Sequence, residues 1–432
     1  MSHKRVSFES LGCKLNYAET IQIKKEFRKR GFEVVDSQAA ADVVVINTCT
    51  VTQSADSDCR QLIRRALRNS PNAYIVVTGC YAQGRPDELS HIEGVDLVLG
   101  NHEKFKLFDL VDDFSKNYHS RVFVGAIEDV VDFGAADSAD EGSRTRAFLK
   151  VQDGCDYNCS YCTIPSVRGR SRSPSIEFLL NEAREIASRG YKEVVLSGVN
   201  VGDFGQRDGK TLMDLLRSLE NVKGIERFRI SSIEPNLLTK DIVNFVANSE
   251  KFCKHFHIPL QSGSDEVLRK MRRRYNTRLY RNIVDYIRER IPDAAIGADV
   301  IVGFPAETNE LFEMTYAFIE SLPLTYLHVF SYSERQNTDA VKIGPDVDPR
   351  VKKKRGELLR MLSNRKRYEF NRSHVGKIVK VLVEDEEKDG KMYGFTSNYV
   401  KVEMELNQFH QRKLCDVLIQ GVSDNTCIGN IL

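Results

Sequence analysis

The chain has 432 residues, 63 of them Lys or Arg and 61 Asp or Glu, for a formal net charge of +2. That length exceeds the roughly 250–300 residues one hydrophobic core serves, so two or three domains are expected. Ten cysteines are too sparse for a disulfide scaffold. No window approaches the roughly 18 apolar residues of a membrane span, and the opening MSHKRVSFESLGCKLN lacks a signal-like apolar stretch, which predicts a cytoplasmic chain with reduced thiols.

From residue 4 to about 115, short apolar runs (RVSFES, DVVVINT, AYIVVTG) alternate with the helical patterns AETIQIKKEFRKRG and SADSDCRQLIRRALRN. This is the rhythm of a doubly wound parallel sheet, and residues 1–125 are expected to form one α/β domain. Residues 126–145, small and acidic without apolar period, read as a linker. Residues 146–371 hold six candidate strands, AFLKVQ, EVVLSG, RFRISS, HFHIPL, AIGADVIVG and TYLHVFSY, separated by helical patterns, which suit a partial (β/α)6 barrel. A basic helical stretch, Arg350 to Arg372, ends this domain. Residues 372–432 switch to about five short strands with Gly, Asn and Asp at the turns, predicting a small antiparallel β-barrel of oligonucleotide-binding kind.

The first candidate strand runs into DGCDYNCSYC, which places Cys155, Cys159 and Cys162 in one loop. Such spacing lets three thiolates reach three corners of one metal centre. Zinc fails on ligand count, because no His lies between His119 and His255 to complete a local site. Three thiolates on a four-iron four-sulfur cluster leave one iron open for chemistry.

This pattern, with Tyr161 beside the last cysteine, resembles the radical S-adenosylmethionine (SAM) enzymes. With TIPSVRGRSRSP after it, and LGCKLNYAET, NTCTVT and TGCYAQ near the N-terminus, the chain resembles the methylthiotransferase subfamily over essentially its whole length. The resemblance implies that the open iron chelates SAM and that an electron cleaves it to a 5′-deoxyadenosyl radical. It also implies a second four-iron four-sulfur cluster, on Cys13, Cys49 and Cys80, which carries the sulfur to be transferred. Each of these follows a predicted strand, at the carboxyl ends where parallel sheets form ligand sites. Cys59, inside a helical run, reads as a packing residue, as do Cys253, Cys415 and Cys427.

The resemblance further places Gly198 and Asn200 at the amino end of SAM. Ser231, Ser232, Gln261, Asp299 and Gly303 stand at carboxyl ends of barrel strands, where such barrels keep their chemistry. The chain departs from the family at Arg335-Gln336-Asn337-Thr338, where members often have Arg-Pro-Gly-Thr. Basic residues cluster at Arg60, Arg64, Arg65 and Arg68, at Arg168, Arg170 and Arg172, and at 270–274. From Asp348 to Lys380 there are twelve Lys or Arg against three Asp or Glu, the local excess that a polyanion needs. The terminal barrel resembles the TRAM module, a predicted tRNA-binding domain, with Tyr393, Phe395 and Tyr399 as residues for base stacking or core packing.

The function so implied is methylthiolation of carbon 2 of a modified adenosine beside the tRNA anticodon, using two SAM and an electron donor such as flavodoxin or ferredoxin; the sulfur source is not readable. The sequence around Cys13, Leu-Gly-Cys-Lys-Leu-Asn, looks like the branch acting on threonylcarbamoyladenosine. Its carboxylate calls for a cation, for which Lys14, Arg168 and Arg335 are candidates. Rival readings are the isopentenyladenosine branch, a ribosomal-protein aspartate as substrate, and a non-catalytic iron–sulfur RNA-binding or sensor protein.

Overall fold

The computed structural model describes residues 4–50, 53–116, 119–139 and 144–432. The first domain is one parallel sheet of β1 (Arg5–Ser10), β2 (Glu33–Val34), β3 (Val43–Thr48), β4 (Tyr74–Gly79), β5 (Leu97–Leu99) and β6 (Arg121–Phe123). Their spatial order is β2-β1-β3-β4-β5-β6, so the winding direction reverses between β1 and β3. Every residue of β3 and β4 is buried, as expected of β-branched strands covered on both faces. Alternate residues of β3 face opposite ways: Val44 and Ile46 pack with Cys59 and Ile63 of the helix Gln53–Asn69, while Val43 and Val45 pack with Ile23 and Phe27 of the helix Lys14–Lys29. Cys59 is thus a core residue, and its Sγ donates to the carbonyl of Cys49 at 3.4 Å.

The six expected central strands are present as β7 (Arg146–Lys150), β8 (Glu193–Ser197), β9 (Arg227–Ile230), β10 (His255–His257), β11 (Ala295–Val302) and β12 (Tyr326–Ser331). They form two three-stranded parallel sheets, joined through the bridges Phe228–Phe252 and Ser232–His257 into one open arc. The helix Lys14–Lys29 packs beside β7, where Ala18 and Tyr17 meet Ala136, Phe148 and Val195. At the other edge the helix Pro349–Arg372 lies along β12, and Ser363 Oγ accepts from Leu327 N at 2.8 Å.

Residues expected as a linker do more than connect. Ser138 N donates to Phe148 O and Lys150 N to Ala136 O, which covers the free edge of β7, and Ala139 is fully buried. Residues 140–143 of that segment lie outside the described residues.

The C-terminal strands β13 (Ile378–Lys388), β14 (Lys391–Thr396), β15 (Lys401–Glu405), β16 (Leu414–Ser423) and β17 (Thr426–Ile431) close into a barrel in the order β13-β14-β15-β17-β16. Four neighbouring pairs are antiparallel, but β15 and β17 run parallel, so the barrel is not purely antiparallel as expected. It docks on the amino ends of the central strands. Arg227 donates to the carbonyls of Phe395 and Lys380 at 3.0 and 2.8 Å, and Arg229 to those of Ser397 and Thr396 at 3.0 and 3.2 Å. No helix among the described residues is long and apolar enough to cross a membrane.

Candidate active site

The loop after β7 is held by one buried amide. Gln152 Nε2 donates to the carbonyls of Asp153 and Gly154 and to Ser171 Oγ at 2.7–3.0 Å, while its Oε1 accepts from Asn200 N at 2.9 Å. Gly154 has φ +69°, and a Cβ there would lie 2.1 Å from the Arg170 carbonyl oxygen, so the loop needs a glycine to fold back. Each of the three thiols then meets a donor. Tyr157 N points at Cys155 Sγ and Ile164 N at Cys162 Sγ, both at 3.4 Å, and Arg273 Nη1 reaches Cys159 Sγ at 3.1 Å. N–H donors to sulfur are what a cluster-binding thiolate wants. Burial pushes the Cys155 and Cys162 thiols up to about 12, so metal ligation must displace their protons. Among the described residues the only set of three potential ligands within 4.8 Å of one another is His257, Asp299 and His328.

Beside Cys162 lies a cavity of about 250 Å³ lined by Tyr161, Gln261, Asp299, Ile301, Phe330 and Ser331, among others. Gln261 takes φ +65°, rare for a side chain of its size, and its Oε1 is buried without a partner, as are Asn200 Oδ1 and Ser231 Oγ. Orphaned buried acceptors and hydroxyls are costly, and their presence at strand ends beside the cysteine loop fits a polar guest such as SAM. Gly198 and Gly303 are each required by close packing. A Cβ on Gly198 would come 2.9 Å from Gln152 Oε1, and one on Gly303 (φ +71°) 2.3 Å from Lys352 Cγ. The first allows the loop against Gln152, and the second forms a turn under the Lys352 stem. Ser232 pairs through its backbone with His257.

The other three cysteines come from separate strand ends. Cys13 follows β1 by three residues, while Cys49 and Cys80 directly follow β3 and β4. Gly12 (φ +101°) leaves no room for a Cβ, which would lie 2.8 Å from Cys49 Sγ. Asn101 Nδ2 reaches Cys80 Sγ at 3.7 Å. Around them runs a buried ion network: Glu19 meets Lys104 (2.6 Å), Lys150 (2.9 Å) and Arg168 (3.0 Å), and Asp153 meets Lys150 (2.8 Å), Arg168 (3.0 Å) and Arg172 (3.0 Å). Burial would raise the Glu19 pKa, but Arg168, Lys104 and Lys150 outweigh it and hold the carboxylate ionised. Four cations against two carboxylates leave an excess of positive charge beside Cys13 and Cys80, which suits thiolates bound to an iron–sulfur cluster.

Two family models match the chain: the Uncharacterized protein family UPF0004 over residues 5–100 and the Radical SAM superfamily over residues 149–319. The threonylcarbamoyladenosine tRNA methylthiotransferase MtaB of Aquifex aeolicus (strain VF5) is 39% identical over 401 residues, covering 93% of this chain and 97% of that one. The MtaB of Bacillus subtilis (strain 168) is 39% identical over 404 residues, covering 92% and 89%. The chain belongs to the radical SAM methylthiotransferases, in their MtaB branch. A tRNA-2-methylthio-N(6)-dimethylallyladenosine synthase of Acetivibrio thermocellus is 32% identical over 440 residues, covering 99% and 91%. In fold, the chain is similar to the radical SAM methyltransferase TsrM of Kitasatospora setae, with TM-score 0.56 and 14% identity over 76% of this chain and 75% of that one. The protein is thus a radical SAM enzyme, whose family carries four-iron four-sulfur clusters and SAM.

Several basic residues expected on the surface of this enzyme are internal. Arg168 is 1% exposed and Arg172 6%; both belong to the ion network, which removes Arg168 from the candidates for a substrate anion. Arg335 Nη1 donates to Asp56 at 2.6 Å, and its Nε and Nη2 are sealed off without a partner. Of the 270–274 run, Arg273 points inward and pairs with Glu234 as well as Cys159, while Arg272 and Arg274 stay exposed. The sequence reading also missed Gln152, Glu19 and Asp203. Asp203 accepts from Asn200 Nδ2 at 2.9 Å; burial, aided by nearby Asp156, raises its carboxyl to about 6. The D-F-G turn after Asn200 was the available signal for Asp203. Glu19 had none, since it reads as an ordinary polar position of an amphipathic helix.

Proposed function

We propose that this enzyme methylthiolates carbon 2 of threonylcarbamoyladenosine at position 37 of tRNA, with one cluster on Cys155, Cys159 and Cys162 and a second on Cys13, Cys49 and Cys80, and with two molecules of SAM per product. The names of the relatives above support the substrate. One observation carries the chemistry: a string of side chains runs through the central barrel from the Cys162 cavity to the terminal barrel. Asp299 beside the Cys162 cavity meets His257 at 2.9 Å, Tyr326 OH hydrogen-bonds with His257 at 3.4 Å and His255 at 2.8 Å, and the His255 ring lies 4.8 Å from that of Tyr399. Tyr399 in turn lies under Arg229 at 4.7 Å.

When bound, the clusters and SAM supply one-electron radical chemistry and a methyl group. The chain's own tasks are positional. Gln152 fixes the cysteine loop, Gln261, Asn200 and Ser231 offer unpaired polar atoms to SAM, and the three packed domains exclude water from the barrel interior. Residues 1–125 would carry the second triad, 146–371 the radical site, and 372–432 the TRAM-like barrel. Exposed Arg350, Lys353 and Lys354 present charge to tRNA phosphates, and a small redox protein such as flavodoxin or ferredoxin supplies the electron.

The test is a side-by-side assay of reconstituted enzyme with tRNA bearing threonylcarbamoyladenosine or isopentenyladenosine, read by mass spectrometry of the nucleosides. The expected product is the 2-methylthio derivative of the former alone. Comparable rates on both would overturn the substrate assignment.

A further inference from the structure

Two imidazoles and a carboxylate meet on the wall of the central barrel. His257 ends β10, Asp299 lies in β11 and His328 in β12. Asp299 and His328 are directly paired across their strands, and His257 is paired with Gly297, two residues before Asp299. Residues two apart on a strand share a face, so the three side chains come to one side of the sheet. His257 Nε2 lies 2.9 Å and His328 Nδ1 3.5 Å from the same oxygen, Asp299 Oδ1, and the two nitrogens stay within 4.8 Å of each other. Metal bonds of about 2.0–2.2 Å to nitrogen and oxygen put neighbouring ligand atoms about 3–3.5 Å apart. Both pairs that share Asp299 have that spacing.

His257 is also held as a metal ligand is held. Its other ring nitrogen, Nδ1, meets the Tyr326 hydroxyl at 3.4 Å, and that hydroxyl meets His255 Nε2 at 2.8 Å. The Tyr326 ring reaches His257 by crossing β11 at Gly297, which is paired with both residues. A Cβ on that glycine would lie 2.2 Å from Tyr326 Cζ, so the contact requires a glycine there. With Nδ1–H donating to Tyr326, Nε2 turns a lone pair on the Asp299 carboxylate, and two acceptors at 2.9 Å need a proton or a cation between them. A partner on the second ring nitrogen is the usual device for orienting a metal-ligating histidine.

The three groups are accessible. Asp299 lines the cavity of about 250 Å³ beside Cys162, and the His328 side chain is 52% exposed. An ion held by these three ligands therefore keeps its remaining positions for water or for oxygen atoms of a guest in the cavity. Two imidazoles with one carboxylate suit zinc or ferrous iron, whereas magnesium and calcium take sets of oxygen ligands.

We propose that His257, Asp299 and His328 bind one divalent transition-metal ion, of the zinc or ferrous class, separate from the iron held by the cysteine triads. The site does not depend on which modified adenosine the enzyme takes. Its test uses the enzyme with both clusters reconstituted and in their diamagnetic oxidised state, stripped of loose ions by a chelating resin and titrated with Co2+. Wild type should bind one high-spin Co2+ per chain beyond its cluster iron, read by EPR and by metal analysis after gel filtration. His328→Ala and Asp299→Asn should each weaken that binding by more than about 100-fold. Tyr326→Phe, which removes only the orienting hydroxyl, should weaken it by about 10–100-fold. Cluster iron should be unchanged in all three variants. His328 is half-exposed, so its replacement leaves the packing intact and decides the matter if another variant loses its clusters. Wild type that binds no Co2+ overturns the proposal, and so does His328→Ala with wild-type affinity; either result makes the three side chains a hydrogen-bonded group only.

Discussion

Cys155, Cys159 and Cys162 come from one loop whose own backbone N–H groups polarise two of the three sulfurs. Cys13, Cys49 and Cys80 come instead from the ends of three parallel strands, brought together by the sheet and by a buried ion network that reaches across to the barrel through Lys150, Arg168 and Asp153. The first site is a property of local chain geometry, anchored by a single long-range arginine. The second is assembled by the sheet of the first domain, and the ion network beside it ties that domain to the barrel. Under the proposed function, the same contacts that hold the domains together would align the sulfur-bearing triad with the radical site.

The sharpest way to break this comparison is to remove each triad in turn. Cys155, Cys159 and Cys162 replaced together by Ala should lose about half the iron and all SAM cleavage. The corresponding replacement of Cys13, Cys49 and Cys80 should lose the other half and all methylthio product while still cleaving SAM. Iron analysis and 5′-deoxyadenosine assays decide it; no iron loss in the first variant would refute the assignment.

Glu19→Gln probes the interface. It leaves Lys150 and Arg168 with Asp153 and Lys104 with the side-chain oxygen of Asn101, and removing one partner from a buried ionic set costs about 3–5 kcal/mol. Denaturant unfolding should show that loss, and iron bound by the second triad should be released at lower denaturant than iron bound by the first. Simultaneous release would mean that the two sites are equally dependent on assembly.

The smallest effect concerns pH. Asp203, raised to about 6 by burial, titrates higher in the folded chain than in the unfolded one. Its neutral form is favoured on folding, so stability declines as pH rises from about 4 towards about 6 and is level above that. The decline should be about 1–3 kcal/mol. Asp203→Asn should remove it; an unaltered stability-versus-pH profile in that variant would show that Asp203 titrates normally.

The local elements were readable because their causes are local. The β-branched runs VVVIN and YIVVTG become buried central strands, and three cysteines sit just past strands that the pattern already marks. The thiol loop was legible because three ligands within one turn of chain leave few other uses. Neither β5 nor β6 carries enough residues to show a period. The sheet order that puts Cys13, Cys49 and Cys80 together follows from tertiary packing.

Charge was the least legible property. The run at 270–274 reads the same whichever way each arginine points, and the positive φ of Arg272 (58°) helps turn Arg273 in towards Cys159. Arg168 and Arg172 read as a basic patch and are core ion pairs, while Lys14, one of three cations the sequence offered for a substrate carboxylate, is the one left solvent-accessible. Sequence determined which segments become strands and helices, and which cysteines lie at their ends, because steric preference and apolar periodicity act over a few neighbouring residues. Only the tertiary structure decided which charges are paired, sealed or free, because Coulomb energy and desolvation depend on distances between residues far apart in the chain.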